Sequence, residues 1–274
     1  MVMITMAEET QFENMILEKE EGVAILTLSR PDKLNAMTTK MWRDLPRIIN
    51  NVREDDEIKV LILTGVGRAF CVGSDVGDRL ANRIEGKKIE TTRKDLLEPV
   101  GYWAYLIRSL DKMTIAAING MAVGAGLSLA LLCDIRIASE KARFGAVWVK
   151  MGLIADLGAT YTLPRTVGTS KALELMTSGE IIDAREAERI GLVTKVSSHN
   201  ELMKVAKDLA TKLAKGPSIA IELMKRGVYK GMHNDMLTQL DFESYAQNLC
   251  RQTEDHMDAV RAFLEKREPR FRGR

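Results

Sequence analysis

The chain has 274 residues, 46% of them hydrophobic and 28% charged, with a formal net charge of +2. That length suits one large domain, or one domain with an appendage. The balanced charge gives no whole-protein argument for binding nucleic acid or a membrane surface. No apolar run reaches the roughly 20 residues needed to span a bilayer. The start, "MVMITMAEETQFEN", is expected to be neither a signal peptide nor an Arg-rich transit peptide, and its three methionines offer alternative starts. Cys71, Cys133 and Cys250 lack CxxC spacing, which points to a reduced, cytoplasmic protein without structural zinc. His199, His233 and His256 form no metal-ligand spacing, so no metal is expected.

In chain order, "MILEKEEGVAILTLSRP" predicts two short strands joined at Glu20, Glu21 and Gly22 and stopped by Pro31. "TTKMWRDLPRIINNVRED" has apolar residues at helical spacing behind a Thr cap, with Pro46 as a blemish. "IKVLILTG" is a continuous apolar run and reads as a buried strand. "TIAAINGMAV" and "CDIRIASEKARFG" repeat that pattern, so strands alternate with helices and the fold class is α/β. The stretch 78–99 is polar and charged, and reads as a surface loop or a segment flanking a site. "LGATYTL" predicts a short helix ending at Pro164. From about Ser198 the strand signals vanish and the period is helical. We therefore divide the chain into a core, 1–197, and a C-terminal helical region, 198–274, which suits packing or oligomerisation.

Two loops look alike. "VLILTG" is followed by "VGRAFCVGSDV", and "TIAAI" by "NGMAVGAGLSLALLCD". In each, small residues (Gly73 and Ser74; Gly124, Ala125 and Gly126) follow a buried strand and precede helical sequence. Small residues let a substrate approach the backbone. Helix N-termini leave amides free with a partial positive charge. Two such amides converging on one point make an oxyanion hole. The same glycines equally serve turns and tight helix packing. "GMAVGAG" is not GxGxxG, and no GK[ST] is present, so nucleotide-phosphate fingerprints are excluded.

Taken in order, "RPDKLNAM", "GRAFCVGSDV", "AAINGMAVGAGLSLALLCDIRIAS", "GLIADLGATYTLPRTVG" and "AVRAFLEKREPRFRG" resemble the enoyl-CoA hydratase/isomerase (crotonase) superfamily over nearly the whole chain. The resemblance implies a ββα spiral core with C-terminal helices that pack between subunits. It also implies homotrimers or hexamers, and an acyl-CoA thioester as substrate, with no cofactor beyond the coenzyme A of that substrate. The family's two oxyanion donors fall on the amides of Ser74 and Ala125. The second is commonly Gly in the family, and Ala keeps the N–H. Its CoA-contacting stretch falls on Lys33, Leu34 and Ala36. Asp75, Val76 and Gly126, beside the two donors, and Trp148 join the expected substrate contacts. Phe263 and Lys266 fall near the CoA adenine of the same or a neighbouring subunit; by themselves they read as tail packing and a solvated helix face.

The two glutamates of the family's syn-hydratases fall on Ser128 and Trp148, neither of which can act as a carboxylate base. Adding water needs one group to deprotonate it and usually another to supply a proton, so a two-glutamate hydratase is disfavoured. Asp156 is the remaining acid. "GLIAD" is similar to the "GLIPD" of the family's isomerases, where one carboxylate can take a proton and return it. By itself Asp156 reads equally as an N-cap for the helix it precedes. Trp148 with Asp156 eight residues later also resembles the 4-chlorobenzoyl-CoA dehalogenase branch, whose Asp is a nucleophile, but the histidine that branch carries is missing from "VGYWAYLIRSL". Trp148 reads as a wall of an acyl pocket with Tyr102 or Trp103, or as a core residue. The first reading is thus an isomerase with Asp156 as its single base. Hydrolysis or dehalogenation by Asp156 comes second and a divergent hydratase third. An acyl-CoA- or RNA-binding relative without catalysis ranks last, because the helices alternate charge and "KGKK"-like lysine density is limited to Lys87–Lys88.

Overall fold

The computed structural model describes residues 8–79 and 101–274. The polar segment expected beside the site, with Lys87 and Lys88, lies outside the described residues from position 80 to 100, as do the side chains of Tyr102 and Trp103.

The strands β1 (Glu8–Phe12), β2 (Met15–Glu20) and β3 (Val23–Leu28) form an antiparallel meander. The β2–β3 turn places Glu21 and Gly22 at φ of 48° and 81°, the double positive-φ conformation that suits a two-residue hairpin loop. Helix α1 (Thr39–Glu54) opens on Thr38, whose side chain accepts from the Met41 amide at 3.1 Å. Its interior Pro46 costs a backbone hydrogen bond. Burial of Met41, Leu45, Ile48, Ile49 and Val52 on one face carries the helix past it.

The body repeats one unit of a long strand and a short strand: β4 (Val60–Gly65) with β5 (Ala69–Cys71), β6 (Met113–Ile118) with β7 (Met121–Val123), and β8 (Ile135–Ser139) with β9 (Arg143–Gly145). Two more short strands, β10 (Ile181–Asp183) and β11 (Lys195–Ser197), complete the sheets. The long members pair in parallel within a seven-stranded sheet ordered β1-β2-β3-β4-β6-β8-β11, and the short ones lie in a four-stranded sheet ordered β10-β9-β7-β5. Helices follow the units: α2 (Val76–Arg79), α3 (Tyr102–Arg108), α4 (Ala125–Leu132), α5 (Ala159–Val167), α6 (Thr169–Ser178) and α7 (Ala184–Arg189). This is the spiral of ββα turns that the resemblance implied.

The apolar runs of β4 and β6 are continuous because both faces are covered. Leu61, Leu63, Ala116 and Ile118 join the main core with α1 and α4, while Val60, Ile62, Ile115 and Ala117 join a second core. The second core is closed by α8 (Leu202–Ala214) through Leu202, Ala206 and Ala210. Beyond it run α9 (Ser218–Gly231), α10 (Met236–Arg251) and α11 (Glu254–Glu265). Helix α5 does not stop at Pro164 as expected but runs through it to Val167. No helix among the described residues is long and apolar enough to cross a membrane.

Candidate active site

The three short strands β5, β7 and β9 are parallel neighbours, with Ala69 opposite Met121 and Ala122 opposite Phe144, so the chain leaves all three at one edge. The first exit carries Gly73 and Ser74, the second Gly124 and Ala125, the third Ala146, Val147 and Trp148. The two look-alike loops are therefore the same point in successive turns of the spiral. Gly73 has a φ of 97°, and a Cβ built on it lies 3.4 Å from the Ala125 nitrogen, so the loops touch. Ala125 is the first residue of α4, and its cap residue Gly124 brings no side chain to the first-turn amides. Those amides have no partner within the helix and carry the positive end of its dipole. At Gly126 a Cβ would lie 2.0 Å from the Cys71 carbonyl oxygen, so this glycine lets α4 dock against β5. Burial pushes the Cys71 thiol up to about 12, which leaves it an inert packing group at neutral pH.

The Ser74 loop is pinned to the stretch after β3. The Met37 amide donates to the Gly73 carbonyl at 2.8 Å, the Asp75 amide to the Met37 carbonyl at 2.9 Å, and the Val72 amide to the Leu34 carbonyl at 3.3 Å. Arg30 Nη1 donates to Asp75 Oδ2 at 3.0 Å and to the Ala36 carbonyl at 2.6 Å. Lys33, Leu34, Ala36, Ser74, Asp75 and Val76 thus form one cluster, with Lys33 and Val76 exposed. Partial burial works against the Asp75 carboxylate, but hydrogen bonds from Arg30 and from the Asp78 and Gly77 amides outweigh it and hold its pKa below the usual range. Buried Asn35 braces the same turn by donating to the Val66 and Ala69 carbonyls at 3.0 and 2.8 Å. Trp42 on α1 donates its indole N–H to Ser74 Oγ at 3.2 Å. Arg30, Asn35 and Trp42 were not singled out in the sequence. Trp42 lies 32 positions from Ser74, and no local pattern announces such a pair.

Asp156 lies where the third turn meets the second. Helix α5 is capped by Gly158 without a side-chain hydrogen bond, so the N-cap reading of Asp156 does not hold. Its carboxylate Oδ1 instead accepts from Trp148 Nε1 at 3.0 Å, and its backbone carbonyl accepts from Ser128 Oγ at 3.1 Å and from the Ala159 amide at 2.9 Å. Ser128 is 1% and Trp148 5% exposed. The two positions onto which the resemblance places the hydratases' glutamates thus both meet Asp156.

Phe263 and Lys266 sit apart on α11, which packs against α10. Phe263 is 84% exposed, and Lys266 closes the helix in a left-handed conformation at φ 56°.

The enoyl-CoA hydratase/isomerase family model matches residues 18–274. The chain is 40% identical to a short-chain-enoyl-CoA hydratase of Clostridium acetobutylicum over 94% of its length and 97% of that protein's. It is 36% identical to a 1,2-epoxyphenylacetyl-CoA isomerase of Escherichia coli over 93% and 97%. Its structure is similar to that of an enoyl-CoA hydratase from Bacillus anthracis, with a TM-score of 0.88 at 32% identity over 96% and 100% of the two chains. Hydratase is the commoner name among such relatives, so their names give no support to an isomerase in particular.

Proposed function

The chain belongs to the enoyl-CoA hydratase/isomerase family, and within it we propose that it moves the double bond of an enoyl-CoA thioester, with Asp156 as its one acid–base group. The observation that carries this reading is the pair of hydrogen bonds from Ser128 and Trp148 to Asp156. At the two places where a hydratase of this family sets its glutamates, this chain supplies donors to a third residue that is itself a carboxylate.

In this reading the acyl thioester lies across the edge of the short strands, with its CoA moiety along Lys33, Leu34 and Ala36. The Ser74 and Ala125 amides donate to the thioester oxygen and stabilise the charge that gathers there when the α-proton leaves. Asp156 takes that proton from C2 and returns it at C4. One group suffices because the base that accepts a proton becomes the acid that donates it. Proton transfer of this kind requires no cofactor beyond the coenzyme A of the substrate.

A second reading is favoured by the Trp148–Asp156 contact itself, which suits an Asp nucleophile attacking an acyl group or an aromatic ring. Helix α3, "YWAYLIR", lacks the histidine that branch would use to activate water for the second step. Two assays decide. Asp156→Asn should keep the fold and CoA-thioester binding but lose deuterium exchange at C2 of a bound acyl-CoA, a step that needs only the base and the oxyanion hole. Liquid chromatography with mass spectrometry of a 3-enoyl-, a 2-enoyl- and a 4-halobenzoyl-CoA should show the 3-enoyl substrate converted to an isomer of equal mass and different retention. Addition of water to the 2-enoyl substrate as the main reaction, or loss of halide, would refute the isomerase.

A further inference from the structure

We propose that Ser128 and Trp148 are positioning residues that hold Asp156 from two sides; this deepens the reading of Asp156 as the base and rests on it. Trp148, expected from the sequence to wall an acyl pocket or fill the core, has its one polar atom committed to Asp156 Oδ1 at 3.0 Å. A buried indole N–H needs an acceptor, and here the acceptor is the carboxylate to which we assign the chemistry. Ser128 acts on the other half of the same residue. Its hydroxyl, buried in the second turn of the spiral, donates to the Asp156 carbonyl, which the Ala159 amide also engages.

The backbone beyond is held as firmly. Leu157 adopts φ 51°, a left-handed conformation that a branched side chain rarely takes, and its side chain is buried in the main core. Such strain persists only where the surroundings over-determine it, and it gathers at functional sites. Among the described residues, Asp156 is fixed by α4, the short 3-10 helix Val147–Met151 and α5, all rooted in the same core. With carbonyl and carboxylate each tied to a different element, rotation of the side chain is restrained. A lone base that must address both C2 and C4 gains from that restraint, because an error of about 1 Å in placement costs on the order of 100-fold in rate.

The test replaces the N–H of Trp148 while keeping its shape. Site-specific incorporation of β-(3-benzothienyl)alanine at position 148 substitutes sulfur for the N–H, and Trp148→Phe removes the donor with a natural residue. Both proteins should fall about 10- to 100-fold in kcat, with KM within about twofold and C2 deuterium exchange reduced in parallel. Ser128→Ala should show the same split at smaller size. A benzothienyl protein with wild-type kcat would overturn the positioning role, because packing alone would then account for Trp148. Asp156→Asn run alongside separates the two ideas. If it retains C2 exchange, the base assignment itself fails; if it is inactive while the benzothienyl protein keeps the wild-type kcat, only the positioning role fails.

Discussion

The first residue of a helix is the place where proline costs least, since its N–H has no partner in the helix, and Ala125 occupies that place in α4. Ala125→Pro therefore deletes the amide proposed as an oxyanion donor while the helix start stays intact. Loss of one such donor typically costs about 100- to 1,000-fold in rate. A folded Ala125→Pro protein, checked by circular dichroism, that turns over at the wild-type rate would sink the assignment. The next residue is expected to fail differently. Gly126→Ala drives a Cβ to within 2.0 Å of the Cys71 carbonyl oxygen, and main chain cannot step aside as a flexible side chain can. Overpacking of this kind should lower stability by about 3 kcal/mol, read as a lower denaturation midpoint before any assay of turnover.

Among the elements, α9 is tied to the body by a buried charge. Lys225 Nζ donates to Asp134 Oδ2 at 2.7 Å and to the Lys112 carbonyl at 2.8 Å. Tyr229, one turn on, donates to Asp134 Oδ1 at 2.5 Å, and the Thr114 amide and hydroxyl complete the shell of Asp134. Burial pushes the Lys225 pKa down and that of Tyr229 up, so the pair is held against a desolvation cost. Lys225→Met leaves Asp134 buried without its cation and should destabilise by about 3 kcal/mol. Replacing Asp134 by Leu in that background should recover part of the loss, because two apolar groups need no partner. If the double variant is weaker than Lys225→Met alone, Asp134 matters for Thr114 and Tyr229 more than for the ion pair. None of this was legible from sequence, since Lys225 and Asp134 are 91 positions apart. The long strands and the C-terminal helices were legible, because four or more residues can show a period. Strands as short as β5, β7 and β9 cannot, and it is these that set Ser74, Ala125 and Trp148 on one edge. The likeness of the two glycine loops could be read, but the adjacency that explains it is a property of the second sheet. Asp156 could be singled out as an acid in a small, apolar stretch, whereas its release from capping duty depends on Gly158 taking the helix start.

At the scale of the molecule, the C-terminal tail is folded back on α11 by two acids. Asp255 accepts from the Arg272 and Gly273 amides at 2.6 and 2.9 Å, and Asp258 from Arg267 Nη2 at 2.6 Å and the Arg270 amide at 2.7 Å. The Arg267 hydrogen bond, with that of the Arg270 amide, holds the Asp258 pKa down to about 2. A depressed carboxylate favours the folded tail fully above its unfolded pKa of about 3.9, and that contribution is lost as pH falls through the folded value. Protection factors of the Arg270 and Arg272 amides should therefore drop between about pH 4 and pH 2, and Asp258→Asn should lower them already at neutral pH. Unchanged protection in Asp258→Asn would remove Asp258 from the account.

The same region leaves Met236, Leu237, Tyr245, Phe263 and Leu264 largely exposed along α10 and α11. Large apolar side chains exposed on two helices suit an interaction surface, and with the family resemblance they lead us to expect a trimer or hexamer in solution. Light scattering that finds a monomer at micromolar concentration would end that expectation. If the assembly also brings Phe263 and Lys266 to the CoA end of a neighbour's site, activity should cross between chains. An Asp156→Asn chain lacks the base but keeps Phe263 and Lys266; a Phe263→Ala/Lys266→Ala chain lacks those two but keeps Asp156. Each alone should be impaired, the second chiefly in KM. Refolded together, they should form mixed oligomers in which some sites pair an intact Asp156 with an intact α11 from the neighbour, and those sites should regain the wild-type KM. Should α11 instead serve its own chain, every site in the mixture carries one defect or the other, and the KM of the mixture stays that of the double variant. The comparison needs no knowledge of the natural acyl chain, because any thioester that turns over reports it.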